Sequence, residues 1–283
     1  MQVTIDTLRG FVFEENDTAL TLHPANAGQR TALGSMTIEE IDVLRDHPEV
    51  DKLTVAGLEQ DTFEYLIRRY GRQLRGLIII SPKIEDLSPL GSLPQLEYLS
   101  VSRNYCVSSL WDMTGNTALK GLEIGGFTKM RSIEGIQRAR NLEYFIYDDG
   151  MWTKTALESL MPLAGLPLRY LGLYVRTIAD GDMSFFEQLP HLERFETPLN
   201  LLETEKFAWI TANCPNLKGR ALAAYEDFGD GTVCIIGKRK PCIKVEGNER
   251  RIEKYIDQFN RLVEQFRGKP FRSLFPSTPT ERR

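Results

Sequence analysis

One phrase recurs eight times along this chain: an apolar residue, two positions of any type, an apolar residue, one position of any type, and an apolar residue. The clearest copies begin at Leu74 (Leu74, Leu77, Ile79), Leu96 (Leu96, Leu99, Val101), Leu119 (Leu119, Leu122, Ile124), Leu142 (Leu142, Phe145, Tyr147) and Leu168 (Leu168, Leu171, Leu173), spaced 22, 23, 23 and 26 residues apart. Weaker copies flank them at Val50 (Val50, Leu53, Val55), Leu192 (Leu192, Phe195, Thr197) and Leu217 (Leu217, Arg220, Leu222). A period of this length predicts a solenoid, in which each unit is one small supersecondary element.

The phrase also fixes local geometry. Its last two apolar positions, two residues apart, fall on the same face of a short strand, and the residues between them point the other way. One unit cannot bury its apolar face alone, so successive units must stack, pair their strands in parallel and share one elongated core. Ile84, Leu87, Leu90 and Leu93, and likewise Ile133 and Ile136, recur at spacings of three, which predicts helical or 3₁₀ return segments.

The stretch 51–218 resembles the leucine-rich-repeat family. The run Ile84-Glu85-Asp86-Leu87-Ser88-Pro89-Leu90-Gly91-Ser92-Leu93-Pro94-Gln95-Leu96-Glu97-Tyr98-Leu99-Ser100-Val101 is similar to its short-repeat bacterial branch, to which internalins belong. The resemblance implies an α/β fold: a leucine-rich-repeat solenoid with a curved parallel sheet, helical or 3₁₀ return segments, and N- and C-terminal caps. It also implies that the concave sheet face carries specificity. The family's asparagine after the strand stands in place only at Asn104, whereas Phe127, Gly150 and Arg176 hold the matching positions. An irregular solenoid without the usual asparagine ladder is therefore expected.

Four regions follow. Residues 1–49 read as an N-terminal cap: Val3 and Ile5, then Phe11 and Phe13, alternate with other residues, and Ala19-Leu20-Thr21-Leu22 reads as a further strand. Thr37 with Glu40 three positions later signals a capped helix whose face is Ile38, Ile41 and Leu44, after a lengthened loop at 24–35. Residues 50–227 form the solenoid. Residues 228–267 read as a hairpin around the basic turn Lys238-Arg239-Lys240-Pro241, then a helix capped by Asn248 with the stripe Ile252, Ile256, Phe259, Val263 and Phe266. Together they make a C-terminal cap, because an open solenoid end exposes core and unpaired strand edges. Residues 268–283, rich in Pro, Ser, Thr and Arg, are expected to be a disordered tail.

Composition narrows the function classes. A formal net charge of −4 without a basic stripe gives no footprint for nucleic acid. The N-terminus lacks the basic and apolar regions of a signal peptide, and no apolar run approaches membrane-spanning length, so a cytoplasmic protein without a membrane partner is expected. Cys106, Cys214, Cys234 and Cys242 are scattered, without a CxxC motif; Cys234 and Cys242 can face each other across the hairpin, and a reduced pair is expected. His23, His47 and His191 each adjoin a proline at a turn, without metal-ligand spacing. No GxSxG, GxxxxGK[ST] or GxGxxG motif is present, and neither Asp148-Asp149 nor the acidic turn 226–231 has the alternating pattern of an EF-hand. The expectation is a non-enzyme without cofactor, metal or catalytic residue.

The strand register yields the candidate site. Residues alternating with the core positions are Lys52 and Thr54, Ile78 and Ile80, Tyr98, Ser100 and Ser102, Glu123, Tyr144, Ile146 and Asp148, Tyr170 and Tyr174, and Arg194 and Glu196. An exposed face carrying tyrosines and isoleucines, rimmed by Arg103, Asp148, Arg176 and Arg194, has the composition of an interface. Tyr98, Tyr144 and Tyr170 share one phrase position, which predicts a column across the face with Tyr174 at its edge. The chain is thus expected to be a monomeric interaction module that binds a protein or peptide on its concave face, as adaptor or antagonist. Two alternatives remain: a repeat-guided enzyme, ubiquitin-ligase-like, using Cys234 or Cys242, and a self-associating structural element.

Overall fold

The computed structural model describes residues 18–25, 34–149 and 156–276. The alternations at Val3, Ile5, Phe11 and Phe13, most of the loop 24–35, and residues 277–283 lie outside the described residues. Eight strands follow in chain order: β1 (Ala19–Leu22), β2 (Lys52–Ala56), β3 (Gly76–Ile80), β4 (Tyr98–Ser102), β5 (Gly121–Gly125), β6 (Tyr144–Asp148), β7 (Tyr170–Tyr174) and β8 (Arg194–Glu196). They form one parallel sheet whose spatial order is the chain order, the arrangement that stacked repeats demand. Pairing brings identical phrase positions side by side: Leu77, Leu99, Leu122, Phe145, Leu171 and Phe195 make one continuous row and are almost fully buried.

The return segments are the short helical turns that the spacing of three predicts. They are 3₁₀ turns at Ser88–Ser92, Met113–Gly115, Ile136–Arg138, Met161–Leu163 and Ser184–Gln188, with Ile84, Leu87, Leu90, Leu93, Ile133 and Ile136 pointing into the core. Ahead of them, α1 (Ile38–Ile41) runs into a 3₁₀ turn at Asp42–Asp46, and α2 (Gln60–Tyr70) is a full helix between β2 and β3. Thr37 and Glu40 form the expected capping box, Thr37 Oγ1 accepting from the Glu40 amide at 3.3 Å and Glu40 Oε2 from the Thr37 amide at 2.8 Å. Ile41 and Leu44 are buried, but Ile38 is exposed, contrary to expectation; the tighter winding after one α-turn rotates it off the shared face.

Two other ladders take the place of the missing asparagine ladder. Just after their strands, Gly57, Ser81, Arg103 and Gly126 adopt left-handed backbone (φ 71°, 50°, 59° and 71°). Each donates its amide to the last strand residue of the next rung: Gly57 to Ile80, Ser81 to Ser102, Arg103 to Gly125 and Gly126 to Asp148. At the other end of the strands, Gln73 Nε2 donates to the Val50 carbonyl (3.0 Å), Gln95 Nε2 to that of Gly71 (3.1 Å) and Asn141 Nδ2 to that of Thr117 (2.7 Å). Asn104 is wholly buried, its Oδ1 accepting from the amides of Cys106 and Val107.

Beyond β8, the bridge from Arg194 to Lys218 continues the parallel pairing for one more residue, which accounts for the weak phrase at Leu217. Then α3 (Thr204–Asn213), itself placed between these two, packs against α4 (Glu249–Phe266). The predicted hairpin, β10 with β11, is two strands of a three-stranded antiparallel sheet: β9 (Tyr225–Asp227), β10 (Thr232–Ile235) and β11 (Cys242–Lys244), ordered β11-β10-β9. Part of the stretch read as an acidic turn is therefore strand β9. Asn248 precedes α4, but its side chain makes no capping bond, while Ile252, Phe259 and Phe266 bury the predicted stripe.

Two expectations are corrected here. Residues 268–276 are ordered: α5 (Phe271–Leu274) buries Phe271 against Trp209, with ring centroids 5.0 Å apart, because the compositional bias hides three large apolar residues, Phe271, Leu274 and Phe275. The pair Cys234 and Cys242 is a disulfide, because the β10–β11 register sets the two residues directly opposite each other. No helix among the described residues is long and apolar enough to cross a membrane.

Candidate functional site

The first, third and fifth residues of each five-residue strand project from the face opposite the main core. In register, the first row reads Lys52, Gly76, Tyr98, Gly121, Tyr144, Tyr170 and Arg194. The middle row reads Thr54, Ile78, Ser100, Glu123, Ile146, Gly172 and Glu196, and the last row ends on Asp148 and Tyr174. Tyr144 and Tyr170 are direct neighbours, whereas Gly121 separates Tyr98 from Tyr144, so the predicted column has a gap one strand wide.

Tyr98, Ile146 and Tyr170 nevertheless form one buried cluster, with Tyr144 and Tyr174 packed against it, distinct from the main core. Gly172 makes this close packing possible: a Cβ there would meet Ile146, Tyr170 and Tyr174 side-chain atoms, each at 3.3 Å. Ile78 and Ile80, both on β3 next to the strand of Tyr98, are outside the cluster.

Burial overturns part of the expected site. Ile78, Tyr98, Ser100, Glu123, Ile146 and Tyr170 are not exposed: their exposures are 2%, 4%, 1%, 5%, 2% and 1%. Ile80, Tyr144 and Tyr174 are half-buried, and only Arg103, Asp148, Arg176 and Arg194 are open to solvent as expected. Flanking side chains on a sheet shield one another sideways, but stacking within one layer leaves their outer ends in water. The buried positions run over five adjacent strands, β3 to β7.

Polar groups are set into the same face. Ser100 Oγ lies 3.4 Å from Glu123 Oε2, and Arg194 Nε donates to Glu196 Oε1 at 2.8 Å. At the far edge, Lys52 Nζ donates to Thr18 Oγ1 at 2.9 Å. Asp149, one residue past β6, is buried, and burial pushes its carboxyl up to about 6; the Arg176 amide opposes that shift, and the charge of Asp148 adds to it. Among the described residues, no group of three or more His, Cys, Asp or Glu side chains could hold a metal ion.

A second feature went unnoticed in the sequence. The position just before the strand reads Asp51, Arg75, Glu97, Lys120, Glu143, Arg169, Glu193 and Lys218, alternating in sign at every rung. Each of these residues from Arg75 onward donates its amide to the carbonyl of the one before, so the charges form a real ladder. Arg75 pairs with Glu97, and Arg169 lies 2.8 Å from Glu193 and 3.9 Å from Glu143. Lys120, Glu143, Arg169 and Glu193 also line an open groove of ≈ 700 Å³ beside His191 and Asn216. The signal was legible as the second position of the phrase, had charge been tabulated alongside hydropathy.

No family model matches the chain, and no curated protein matches it.

Proposed function

We propose that this chain is a non-enzymatic recognition module of the leucine-rich-repeat kind, and that the tyrosine face of its sheet binds an extended segment of protein. The observation that carries the reading is the second apolar cluster, Tyr98, Tyr144, Ile146, Tyr170 and Tyr174, built on the face turned away from the core. A sheet needs one apolar face to fold, and a second one with its own small cluster requires a covering layer. An extended segment suits it: side chains projecting two residues apart along the strands match the alternation of an extended partner, while Ser100, Glu123, Arg194 and Glu196 supply polar selection. Little ordering cost falls on the module, whose rungs are already locked by one backbone ladder and one ladder of side-chain amides.

The terminal elements fit the role of caps, with α3, α4 and the small sheet closing the end after β8. The disulfide supports the non-enzymatic reading, since both cysteines of the proposed thiol site are bonded to each other. A cytoplasmic setting requires that pair to stand reduced there, which thiol titration of the protein from native lysate would decide.

The test is selection of peptides from a displayed library on the full chain, followed by titration calorimetry. Tyr144→Ala with Tyr174→Ala, both half-buried, should weaken the selected peptides by about 1.4 kcal/mol or more, about tenfold. Glu134→Ala on a return segment should leave affinity unchanged. Unchanged affinity of the tyrosine variant, with normal melting, would overturn the assignment.

A further inference from the structure

We propose that the Cys234–Cys242 disulfide is a covalent capture site: the thiolate of a cysteine in an extended protein segment, seated along the open edge of β11, exchanges into it at Cys242 Sγ. The site is independent of the tyrosine face.

The bond is not needed as a staple. The inner face of the small sheet has its own apolar packing, in which Val233, Ile235 and Ile243 meet Ile252 of α4. The chain between the two cysteines is fastened separately: the Gly237 amide donates to the Leu199 carbonyl and the Lys238 amide to that of Leu202, both at 2.9 Å, and Thr204 Oγ1 donates to the Ile236 carbonyl at 2.9 Å. Disulfides that hold a small domain together stand in for a missing core, and here the core is present.

Both sulfurs are presented outward. Along β10 and β11, Val233, Ile235 and Ile243 are buried, while Cys242 and Lys244 are exposed and Thr232 and Cys234 half-buried. The disulfide therefore lies on the face turned away from α4, and exposed disulfides are the labile ones in thiol exchange.

The strand order decides which sulfur is attacked. An entering thiolate approaches along the S–S axis, opposite the sulfur that leaves, and here that axis joins two facing strands. On the Cys234 side β9 stands across the line: Glu226 is the register partner of Cys234, and its Oε1 accepts from Arg220 Nε at 2.8 Å. On the Cys242 side β11 is the edge of the sheet, and no strand among the described residues pairs with it beyond. Attack falls on Cys242, and Cys234 leaves.

The same edge selects the carrier of the thiol. The Ile235 amide donates to the Pro241 carbonyl and the Val245 amide to that of Gly231, so Cys242 and Lys244 are the residues whose amides and carbonyls point away from β10. A further strand laid on that edge bonds to them. A cysteine of that strand opposite Cys242 sets three sulfurs in a row across three strands. The residue two positions away then stands opposite Lys244, where an acidic side chain completes a cross-strand pair. The segment captured is thus extended and carries the pattern Glu-x-Cys or Cys-x-Glu.

The exchange balances without an outside oxidant. The partner's thiolate gives its electron pair to Cys242 Sγ, and one S–S bond forms as the Cys234–Cys242 bond breaks. Cys234 leaves as a thiolate, which takes from water a proton equivalent to the one the partner's thiol lost. One segment is captured per chain, so the step adds a tether to a recognition module and turns over nothing.

The test mixes the oxidised full chain with an extended peptide containing Glu-x-Cys, quenches with N-ethylmaleimide, and maps the digest by mass. The expected product carries the peptide on Cys242 and maleimide on Cys234, and it forms about tenfold or more faster than the glutathione adduct at equal thiolate concentration. N-methylating the peptide's backbone amides at and beside its cysteine should lower the rate to that of glutathione. Lys244→Glu should slow the Glu-x-Cys peptide and speed a Lys-x-Cys peptide. An adduct chiefly on Cys234, or none, would overturn the proposal. Equal rates for the peptide and glutathione would overturn it as well, leaving an exposed disulfide open to any small thiol.

Discussion

Truncating Phe271 to alanine should destabilise the end of the molecule beyond β8, although composition marks this stretch as dispensable. Phe271 is 1% exposed, and its ring lies 5.0 Å from that of Trp209, edge to face, and 4.8 Å from that of Phe275. Polar bonds fix the same segment: Trp209 Nε1 donates to the Lys269 carbonyl at 2.8 Å, the Phe271 amide to Glu187 Oε1 at 2.8 Å, and Arg272 pairs with Asp182 at 2.9 Å. Removing a buried phenylalanine ring costs about 3–5 kcal/mol through lost transfer free energy and the cavity left behind. The aromatic pair with Trp209 lies within that range, worth about 0.5–1.5 kcal/mol. Solenoid-like proteins open locally, so urea unfolding by circular dichroism should be joined to hydrogen exchange. Exchange should quicken in α3 and α4 and stay unchanged in β3 to β5. Arg272→Ala, at an exposed pair, should lower the midpoint far less. A wild-type midpoint and wild-type exchange in α3 for Phe271→Ala would refute the argument that α5 belongs to the core.

Three further predictions follow from local geometry. Gly126→Ala should cost about 1–3 kcal/mol in a thermal or urea melt, because φ is 71° and the new Cβ would meet the Arg103 Cα at 3.0 Å; Ser81→Gly, at φ 50°, should be neutral or stabilising. Glu97→Arg sets three cations in series with Arg75 and Lys120 and should cost roughly 1 kcal/mol after solvent screening, a penalty that shrinks in 1 M salt; a salt-independent cost would mean that the ladder is not electrostatic. Asp149→Asn should stabilise at neutral pH: the folded carboxyl titrates at about 6 against an ordinary 3.8, so the folded state binds the extra proton and stability falls as pH rises between those values. The gain from Asn should therefore be present above pH 6 and vanish below about 4, and equal gains in urea melts at pH 3.5 and 7 would rule the burial argument out.

What the sequence made legible was whatever repeats. The hydropathy phrase fixed strand positions, the inward row and the parallel order, because each rung repeats the same constraint and an error at one is outvoted by its neighbours. The outward tyrosines were placed on the right face by the same alternation, but their exposure was not deducible, since burial depends on how neighbouring strands pack their side chains together, which period-2 patterning does not encode. Features that occur once were the ones misread. The facing of Cys234 and Cys242 was legible, but their bonding was not, since hairpin spacing does not encode oxidation state; and α5 is too short to show a helical period, so three apolar residues were lost in a polar composition.

The two unread ladders explain why the fold tolerates so irregular a set of turns. An asparagine ladder would bridge rungs from one fixed turn position, whereas here the turn residue's own amide bridges forward from Gly57, Ser81, Arg103 and Gly126, and Gln73, Gln95 and Asn141 bridge backward at the other end of the strands. Backbone bonding of this kind asks of the turn residue only a left-handed φ, so its side chain is released from structural duty. That freedom is what permits an arginine at position 103, exposed on the rim beside the tyrosine face and held in a conformation that glycine adopts more cheaply. Arg103→Gly should then leave the melt unchanged or raise it while weakening any acidic segment selected on the face; equal affinity for such segments would show that the arginine is a tolerated turn residue and no part of recognition.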